Sequence, residues 1–177
     1  MVLVLARAKE AESFMAKANK TRSSGRPRYP VPLIDIQDQI GCRVVVKTPE
    51  AVERVADTLK RRFHCIENRR RVLSEHPSYF GYDARHMICS IPDRFATNTL
   101  RAKRFEIQIS TLFQHAWAEM EHDIIYKPKG SSLGYAERRS ISAAAALAFA
   151  ADFIFNNTTR TRKTRERRSR SRSRKLA

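Results

Sequence analysis

Two acidic residues stand where carboxylates can do chemistry. Asp38 comes just before an apolar segment, and Glu106 lies in the middle of an alternating one. If both segments are neighbouring strands, the two carboxylates converge at one end of a sheet. Hard oxygen ligands of that kind bind Mg²⁺, which also takes water and substrate phosphates. The alternative for Glu106 is an exposed acid on the solvent face of a half-buried strand.

Cations accompany these acids along the chain. Arg7, Lys9 and Lys17 lie in a segment rich in helix formers, and nearly three helical turns separate Arg7 from Lys17. That spacing places both on one flank of a helix, which either binds a polyphosphate or is simply solvated. Arg43 interrupts an apolar strand, so it needs an anionic partner or a ligand.

A third group of residues suits the recognition of a nucleotide. The segment 76–86 contains three aromatic residues, a glycine and two histidines. Tyr82, next to Gly81, is a natural stacking platform for a base, and His86 could contact a phosphate. The alternative is a turn whose aromatic side chains cap the core.

The elements that must position these residues form a mixed pattern. Hydrophobic periodicity and turn signals predict strands over 40–47, 64–68, 84–91 and 103–109, with the second of them weak. They predict helices over 6–20, 48–63, 111–126 and 136–156, the second starting at an N-cap Thr48. This order indicates an α+β fold, a mixed sheet flanked by helices.

The charge is concentrated at the C-terminus. Of the net +17, residues 158–177 carry +9 and residues 1–157 carry +8. A folded part that stays this basic is expected to meet phosphates. The Arg-Ser and Arg-Thr pattern of 158–177 predicts a disordered basic tail with affinity for polyanions such as RNA. We therefore divide the chain into a domain, 1–157, and a tail, 158–177.

Composition argues against several classes of protein. The longest apolar runs, 143–151 and 153–155, are shorter than the roughly 18 residues that span a bilayer, so no membrane partner is expected. No secretory signal is visible at the N-terminus. Cys42, Cys65 and Cys89 are odd in number and widely spaced. We interpret them as small buried hydrophobes in a reducing, cytoplasmic compartment rather than zinc ligands or disulfide partners.

Five short motifs follow one another along the chain. They are R-x-K-x-x-x-S-x-x-x-K from Arg7, D-x-x-G-x-R-V from Asp38, G-Y-x-x-x-H from Gly81, E-x-Q-I-x-T from Glu106, and H-A-W-A-E-x-E-H-x-x-x-Y-K over 115–127. Each is weak alone, but in this order they resemble the synthetase domain of RelA/SpoT-type alarmone synthetases. With the alanine-rich segment that follows, the resemblance covers about 150 residues.

The resemblance implies a nucleotidyltransferase-like fold and a reaction. Pyrophosphate would pass from ATP to the 3′-hydroxyl of GDP or GTP, which makes guanosine tetra- or pentaphosphate, the signal of the stringent response. The resemblance also implies roles for site residues. Asp38 and Glu106 would hold Mg²⁺, and Glu106 would help to activate the hydroxyl. The cations that would bind ATP are Arg7, Lys9, Lys17 and Arg43, and the residues that would bind the acceptor are Tyr82, His86 and Gln108. The family's hydrolase domain is not visible, so synthesis without hydrolysis is expected.

Departures from the family pattern keep two alternatives open. Ser110 replaces an arginine that the family often has, and Ser78 and Phe80 stand where many members have lysine and asparagine. The chain also begins six residues before Arg7, where relatives usually have upstream helices. One alternative is a toxic relative that pyrophosphorylates the 3′ end of tRNA, held by the arginines 69–71 and the tail. The other is a non-catalytic nucleotide- or RNA-binding remnant. Small relatives are often oligomers, so a homo-oligomer is conceivable.

The segment 115–122 requires a separate interpretation. His115, Glu119 and His122 share one helical face, so a metal site is conceivable there. We favour a structural polar face behind the strand that carries Glu106, with Trp117 in the core.

Overall fold

The computed structural model describes residues 3–72, 80–95, 104–125 and 133–176. The elements, in chain order, are β1 (Leu3–Ala8), α1 (Ala11–Ala18), α2 (Pro32–Asp35), β2 (Ile40–Val46), α3 (Pro49–Arg62), β3 (Cys65–Val72), β4 (Asp83–Ser90), a 3₁₀ turn (Asp93–Phe95), β5 (Arg104–Thr111), α4 (Leu112–Ile125) and α5 (Tyr135–Leu176). The five strands form one sheet in the order β1-β2-β5-β4-β3. β2 and β5 are parallel and the other pairs are antiparallel. The mixed α+β class is therefore confirmed.

The main hydrophobic core lies between one face of the sheet and α3. Alternate residues of β2, β4 and β5 meet the apolar stripe of α3 there, and its buried members are Val44, Val46, Val52, Ala56, Met87, Cys89, Ile107 and Ile109. Thr48 caps α3, because its Oγ1 accepts a hydrogen bond of 3.3 Å from the backbone N–H of Ala51. Period-two alternation leaves the opposite face of the same strands free for polar side chains.

The helix predicted over 6–20 is wrong at its start. Leu3–Ala8 form the edge strand β1, which pairs with β2 in a register that runs from Leu3 opposite Val45 to Ala8 opposite Ile40. The exposed edge of β2 offers unpaired backbone groups, and pairing with them outweighs the helix propensity of the Ala, Arg and Lys residues here. Arg7 is thus on a strand, and α1 begins only at Ala11.

Strand β3 is longer than the weak strand predicted over 64–68. It continues to Val72 and includes Arg69, Arg70 and Arg71, which lie beyond the end of the predicted strand. β3 pairs with β4 on one side only and is the other edge of the sheet. An edge strand tolerates such charged residues, which also discourage pairing with a further chain. Residues 73–79 lie outside the described part of the chain.

The interpretation of the cysteines is wrong for two of them. Cys65 and Cys89 form a disulfide, and Cys42 is free and half-buried. The antiparallel register of β3 and β4 places Cys65 directly opposite Cys89. Nothing in a separation of 24 residues reveals that register. Cysteine usage therefore no longer supports a reducing compartment.

Removal of this cross-link should destabilise the fold. By the loop-entropy relation, a bridge across 24 residues contributes about 3 kcal/mol. The variant Cys65→Ala/Cys89→Ala should therefore lose that much free energy of unfolding in a urea titration without reductant. Cys42→Ala is the matched control and should respond to dithiothreitol as the wild type does. A wild-type midpoint that dithiothreitol leaves unchanged would contradict the prediction.

The predicted disorder of 158–177 is also wrong, because α5 runs without a break from Tyr135 to Leu176. Arginine is a good helix former and the segment lacks glycine and proline. An i,i+4 pair, Arg162 Nε to Glu166 Oε1 at 3.0 Å, adds some stabilisation.

The apolar part of α5 packs mainly against α4 and to a smaller extent against α3, and its residues Ala145, Ala148 and Asp152 are buried. By length and composition alone, α5 contains an 18-residue window that is apolar enough to cross a membrane. A core helix of a soluble protein passes the same test, so this is weak evidence for a membrane span.

Candidate active site

Four neighbouring strands bring the predicted polar residues to one face of the sheet. The register places Arg7 opposite Gly41 and Gly41 opposite Glu106. It also places Gln108 between Arg43 on β2 and His86 on β4. These residues alternate with the core residues, so they all project away from α3.

A cavity of about 170 Å³ opens on this face. Ten residues line it: Leu5, Ala6, Arg7, Lys9, Asp38, Gly41, Cys42, Arg43, Glu106 and Gln108. Six of the predicted site residues are among them, and Asp38 and Glu106 lie in the same cavity as the sequence suggested. Three further predicted residues join the site. Lys17 contacts Asp38, His86 contacts Glu106, and Tyr82 reaches Glu106 through His86.

Asp38 is held between two lysines. Lys9 Nζ is 3.0 Å from Oδ2, and Lys17 Nζ on α1 is 2.9 Å from Oδ1. Burial raises the pKa of Asp38, but the bonds from Lys17 and Lys9 outweigh burial and the pKa ends below its ordinary value. The carboxylate is therefore ionised at neutral pH. The prediction that Arg7 and Lys17 share one flank of a helix is wrong, because Arg7 lies on β1 and only Lys17 lies on α1. Lys9 and Lys17 instead bind the two oxygens of one carboxylate.

Glu106 is the centre of a polar chain. Its Oε1 is 2.8 Å from His86 Nδ1, and its Oε2 accepts a hydrogen bond of 2.8 Å from Gln108 Nε2. His86 Nε2 is in turn 3.0 Å from the hydroxyl of Tyr82. Burial raises the pKa of Glu106, His86 and Gln108 lower it more, and the charge of Asp38 raises it. The net pKa lies below the ordinary value, so Glu106 is also an anion at neutral pH.

Tyr82 differs from the exposed stacking platform that the sequence suggested. The side chain is half-buried, its ring meets the His86 ring edge-on at 5.6 Å between centroids, and its hydroxyl bonds to that histidine. Tyr82 therefore fixes one end of the chain that orients Glu106.

Arg43 finds the anionic partner that its place in an apolar strand required. It pairs with Glu119 on α4, although both side chains keep some exposure. Glu119, one residue of the polar face of α4, thus has a cationic partner on the sheet. Within the described part of the chain, no group of three His, Cys, Asp or Glu residues could hold a metal. Trp117 is half-buried rather than in the core, and its Nε1 donates a 3.0 Å hydrogen bond to the carbonyl of Ile141 on α5.

Two of the three substituted family positions, Ser110 and Phe80, lie in the described part of the chain. Ser110 is buried on the site face of β5, opposite Val45. Phe80 packs its ring on Phe149 of α5 at 5.4 Å, so it serves packing rather than a polar contact. Ser78 lies outside the described residues.

Sequence reasoning missed one buried pair on the opposite face of the sheet. Thr111 Oγ1 donates a 2.6 Å hydrogen bond to Asp152 Oδ2, and both residues are buried. Burial raises the pKa of Asp152, the Thr111 bond lowers it, Asp83 raises it again, and the result is about 6. The available signal was an acid inside the alanine-rich apolar run of α5.

This shifted carboxyl should make stability depend on pH. Between about 4 and 6 the native state binds a proton that the unfolded chain has released, so the free energy of unfolding should fall as pH rises. We expect a loss on the order of 2 kcal/mol across this window. Urea titrations at several pH values measure it. Asp152→Asn keeps an acceptor for Thr111 and should remove the slope, whereas parallel curves for variant and wild type would contradict the assignment.

The described geometry can be compared with known proteins. A family model described as the region found in RelA/SpoT proteins matches residues 6–131, well over half of the chain. The chain belongs to the RelA/SpoT family. The match ends at residue 131, before α5 begins at Tyr135, so the whole of that helix lies outside the matched region. A search of curated proteins found no match.

Solved structures confirm the fold of this RelA/SpoT domain. The small alarmone synthetase 1 of Bacillus subtilis, solved with its product pppGpp, has a TM-score of 0.72 and 24% identity, covering 88% of this chain and 77% of that one. The protein smu.1046c of Streptococcus mutans UA159 has a TM-score of 0.74 and 26% identity, with coverage of 92% and 79%. A GTP pyrophosphokinase family protein of Streptococcus pneumoniae has a TM-score of 0.70 and 27% identity, with coverage of 88% and 73%.

The donor set of the cavity suits Mg²⁺. Asp38 and Glu106 supply two ionised carboxylates that repel each other, as the effect of Asp38 on the pKa of Glu106 shows. Mg²⁺ is usually bound by one or two carboxylates, with water and substrate phosphates completing its shell. The residues present therefore fit such an ion, provided that phosphates arrive with it.

Proposed function

We propose that this RelA/SpoT domain transfers pyrophosphate from ATP to the ribose 3′-hydroxyl of GDP or GTP, and that it does so in the cytoplasm, where these nucleotides are. One observation carries the proposal: two ionised carboxylates share a small cavity with Arg7, Lys9 and Arg43. Family membership and the pyrophosphokinase and alarmone synthetase relatives support it.

The reaction is a displacement at phosphorus. The 3′-oxygen bonds to the β-phosphorus of ATP, the bond from that phosphorus to the oxygen bridging the α-phosphate breaks, and AMP leaves with the bonding electrons. The hydroxyl proton passes to a base. Bound Mg²⁺ would offset the charge of the phosphates. Most of the rate gain in such transfers comes from positioning and charge stabilisation rather than covalent chemistry.

The residues of the chain divide this work between them. Arg7 and Arg43 project from β1 and β2 into the cavity, where fixed cations favour a polyphosphate. Glu106 is the candidate base, and His86 holds its carboxylate at 2.8 Å in one orientation. The Tyr82 hydroxyl steadies the far side of the imidazole. The acceptor would approach over β4 and β5, on the side of Glu106 away from Asp38.

An assay with labelled ATP tests the proposal. The full chain is incubated with Mg²⁺, ATP labelled in its β and γ phosphates, and GDP or GTP in parallel. We expect label in a guanosine tetra- or pentaphosphate and unlabelled AMP in equal amount. Omission of the acceptor is the control for ATP hydrolysis. Label that appears only as free pyrophosphate or phosphate would contradict the transfer.

A tRNA acceptor is the second candidate function. Phe80 packs on Phe149 instead of offering a polar group to guanine, and β3 and α5 present long rows of arginines that an RNA backbone favours. The same assay with tRNA in place of GDP should then label the tRNA 3′ end. Unlabelled tRNA together with labelled guanosine polyphosphate would exclude tRNA as the acceptor. Turnover of any acceptor would exclude the alternative of a non-catalytic remnant.

A further inference from the structure

A second and larger cavity lies on the other face of the sheet. Its volume is about 920 Å³, and it is bounded by the first turns of α3, the strands β3, β4 and β5, and the middle of α5. Ile109 and Thr111 line it, and they alternate along β5 with the site residue Gln108. The sheet therefore separates this cavity from the one that contains Glu106. Its volume is in the range of cavities that bind small molecules.

Two hydrogen-bond acceptors in this cavity have no donor. Asp152 is 5% exposed, and its Oδ1 is buried without a hydrogen bond, although Oδ2 is used by Thr111. Asn156 Oδ1 is likewise buried and unbonded. The two residues lie one helical turn apart on the same face of α5. A buried polar atom without a partner is costly, so this pair suits a ligand that brings two neighbouring N–H groups.

Aromatic rings lie beside these acceptors. Phe149 and Phe153 line the same cavity and are 45% and 60% exposed, which leaves apolar ring surface in contact with solvent. Such faces stack on flat heterocycles. Acceptors and rings together therefore describe a place for a base whose edge carries N–H donors.

Unpaired cations follow along the helix. Arg160, Lys163 and Arg167 also line the cavity, and in the part of the chain that the structure describes none of them has an acidic partner within 4.0 Å. The acids of α3 and β4 in the lining are already neutralised, through the pairs Arg54–Glu50, Arg85–Glu53 and Arg70–Asp83. From the helix rise, Arg160 is about 12 Å along α5 from Asp152. Negative charge on a ligand would thus be attracted to one end of the cavity only.

We propose that this cavity is a second nucleotide site, which takes a guanine nucleotide. The N1–H and the 2-amino group of guanine face Asp152 Oδ1 and Asn156 Oδ1, the base lies against Phe149 or Phe153, and the phosphates reach Arg160 and Lys163. The base of an adenine nucleotide has only one N–H donor group, the 6-amino group, so it cannot supply two adjacent donors. The site is separate from the proposed reaction and does not depend on it.

Calorimetric titration of the full chain with GDP tests this site. To weaken GDP binding at the first cavity, the titration uses His86→Ala/Gln108→Ala as background, because the proposed reaction places the acceptor over β4 and β5 beside these two residues. GDP should still bind to that variant, with inosine diphosphate, which lacks the 2-amino group, and ADP each at least fivefold weaker. Loss of GDP binding in this background would place all binding in the first cavity and overturn the proposal.

Paired charge changes on α5 then locate the nucleotide. Arg160→Glu/Lys163→Glu in the same background should weaken GDP at least tenfold. Arg165→Glu/Arg172→Glu, the same change of charge on the opposite side of the exposed helix, should leave it within about twofold. Asn156→Leu should reduce the preference for GDP over inosine diphosphate. Equal weakening by both charge pairs would indicate nonspecific attraction and overturn the site, whereas the labelled-ATP assay judges the transfer reaction by itself.

Discussion

Glu106→Gln should reduce pyrophosphate transfer by about a thousandfold or more, which is the combined scale of a lost general base and a lost metal ligand. Glutamine keeps the size of the side chain and can still bond to its neighbours. What it removes is the negative charge, which the lowered pKa of Glu106 shows to be present at neutral pH. Initial rates with labelled ATP and saturating acceptor measure the loss.

A matched substitution in the same sheet controls for folding. Glu67 is a strand carboxylate with an arginine partner, Arg69, at the edge of the sheet. Glu67→Gln should therefore leave the rate within about twofold, and both variants should unfold at nearly the wild-type urea midpoint. A Glu106→Gln enzyme that retained a tenth of the activity would mean that another group takes the proton.

Asp38→Asn should lower transfer by a similar factor, but through a different step. The substitution removes one of the two carboxylates that fit Mg²⁺ and leaves Lys9 and Lys17 without their shared counterion. We expect the Mg²⁺ concentration for half-maximal rate to rise at least tenfold, whereas Glu106→Gln also removes the base and stays inactive at high Mg²⁺. A titration of the rate with Mg²⁺ separates these effects.

Asp57→Asn serves as the control for Asp38→Asn. Asp57 lies on α3 and pairs with Lys60 on the surface, so its loss should leave the Mg²⁺ dependence unchanged. If Asp38→Asn responded to Mg²⁺ as the wild type does, the metal would have to be held elsewhere in the cavity.

Elements whose signals are local could be predicted from the sequence. β2 and β5 follow from runs of apolar or alternating residues, and α3 from the Thr48 cap and its apolar stripe, because neighbours along the chain decide these structures. β1 could not be predicted, because its residues favour a helix and they form a strand only by pairing with the edge of β2. The same holds for the Cys65–Cys89 bridge, which depends on the register between β3 and β4.

In the candidate site, too, features with local signals could be predicted and features that depend on contacts between distant elements could not. The convergence of Asp38 and Glu106 could be anticipated on the condition that their strands are neighbours, and the structure meets that condition because β2 pairs with β5. The sequence showed that Arg43 needs a partner but did not show that the partner is Glu119, 76 residues away. The contact of His86 with Glu106 and the clamp of two lysines on Asp38 likewise depend on packing between elements. Asp152 was overlooked because its chemistry comes from burial, which a single acid in an apolar run only hints at.

The two lysines on Asp38 have a consequence for how the site is loaded. Together they carry the same charge as one divalent ion, and both lie within 3.0 Å of the carboxylate. Asp38 would hold Mg²⁺ in the proposed reaction, and the ion would then supply the charge compensation that Lys9 and Lys17 supply in this structure. The two ammonium groups would in that case be available to the phosphates of the substrate. Without substrate, Lys9 and Lys17 neutralise the charge of Asp38. The same two lysines would bind phosphate only once a substrate and its metal ion are present.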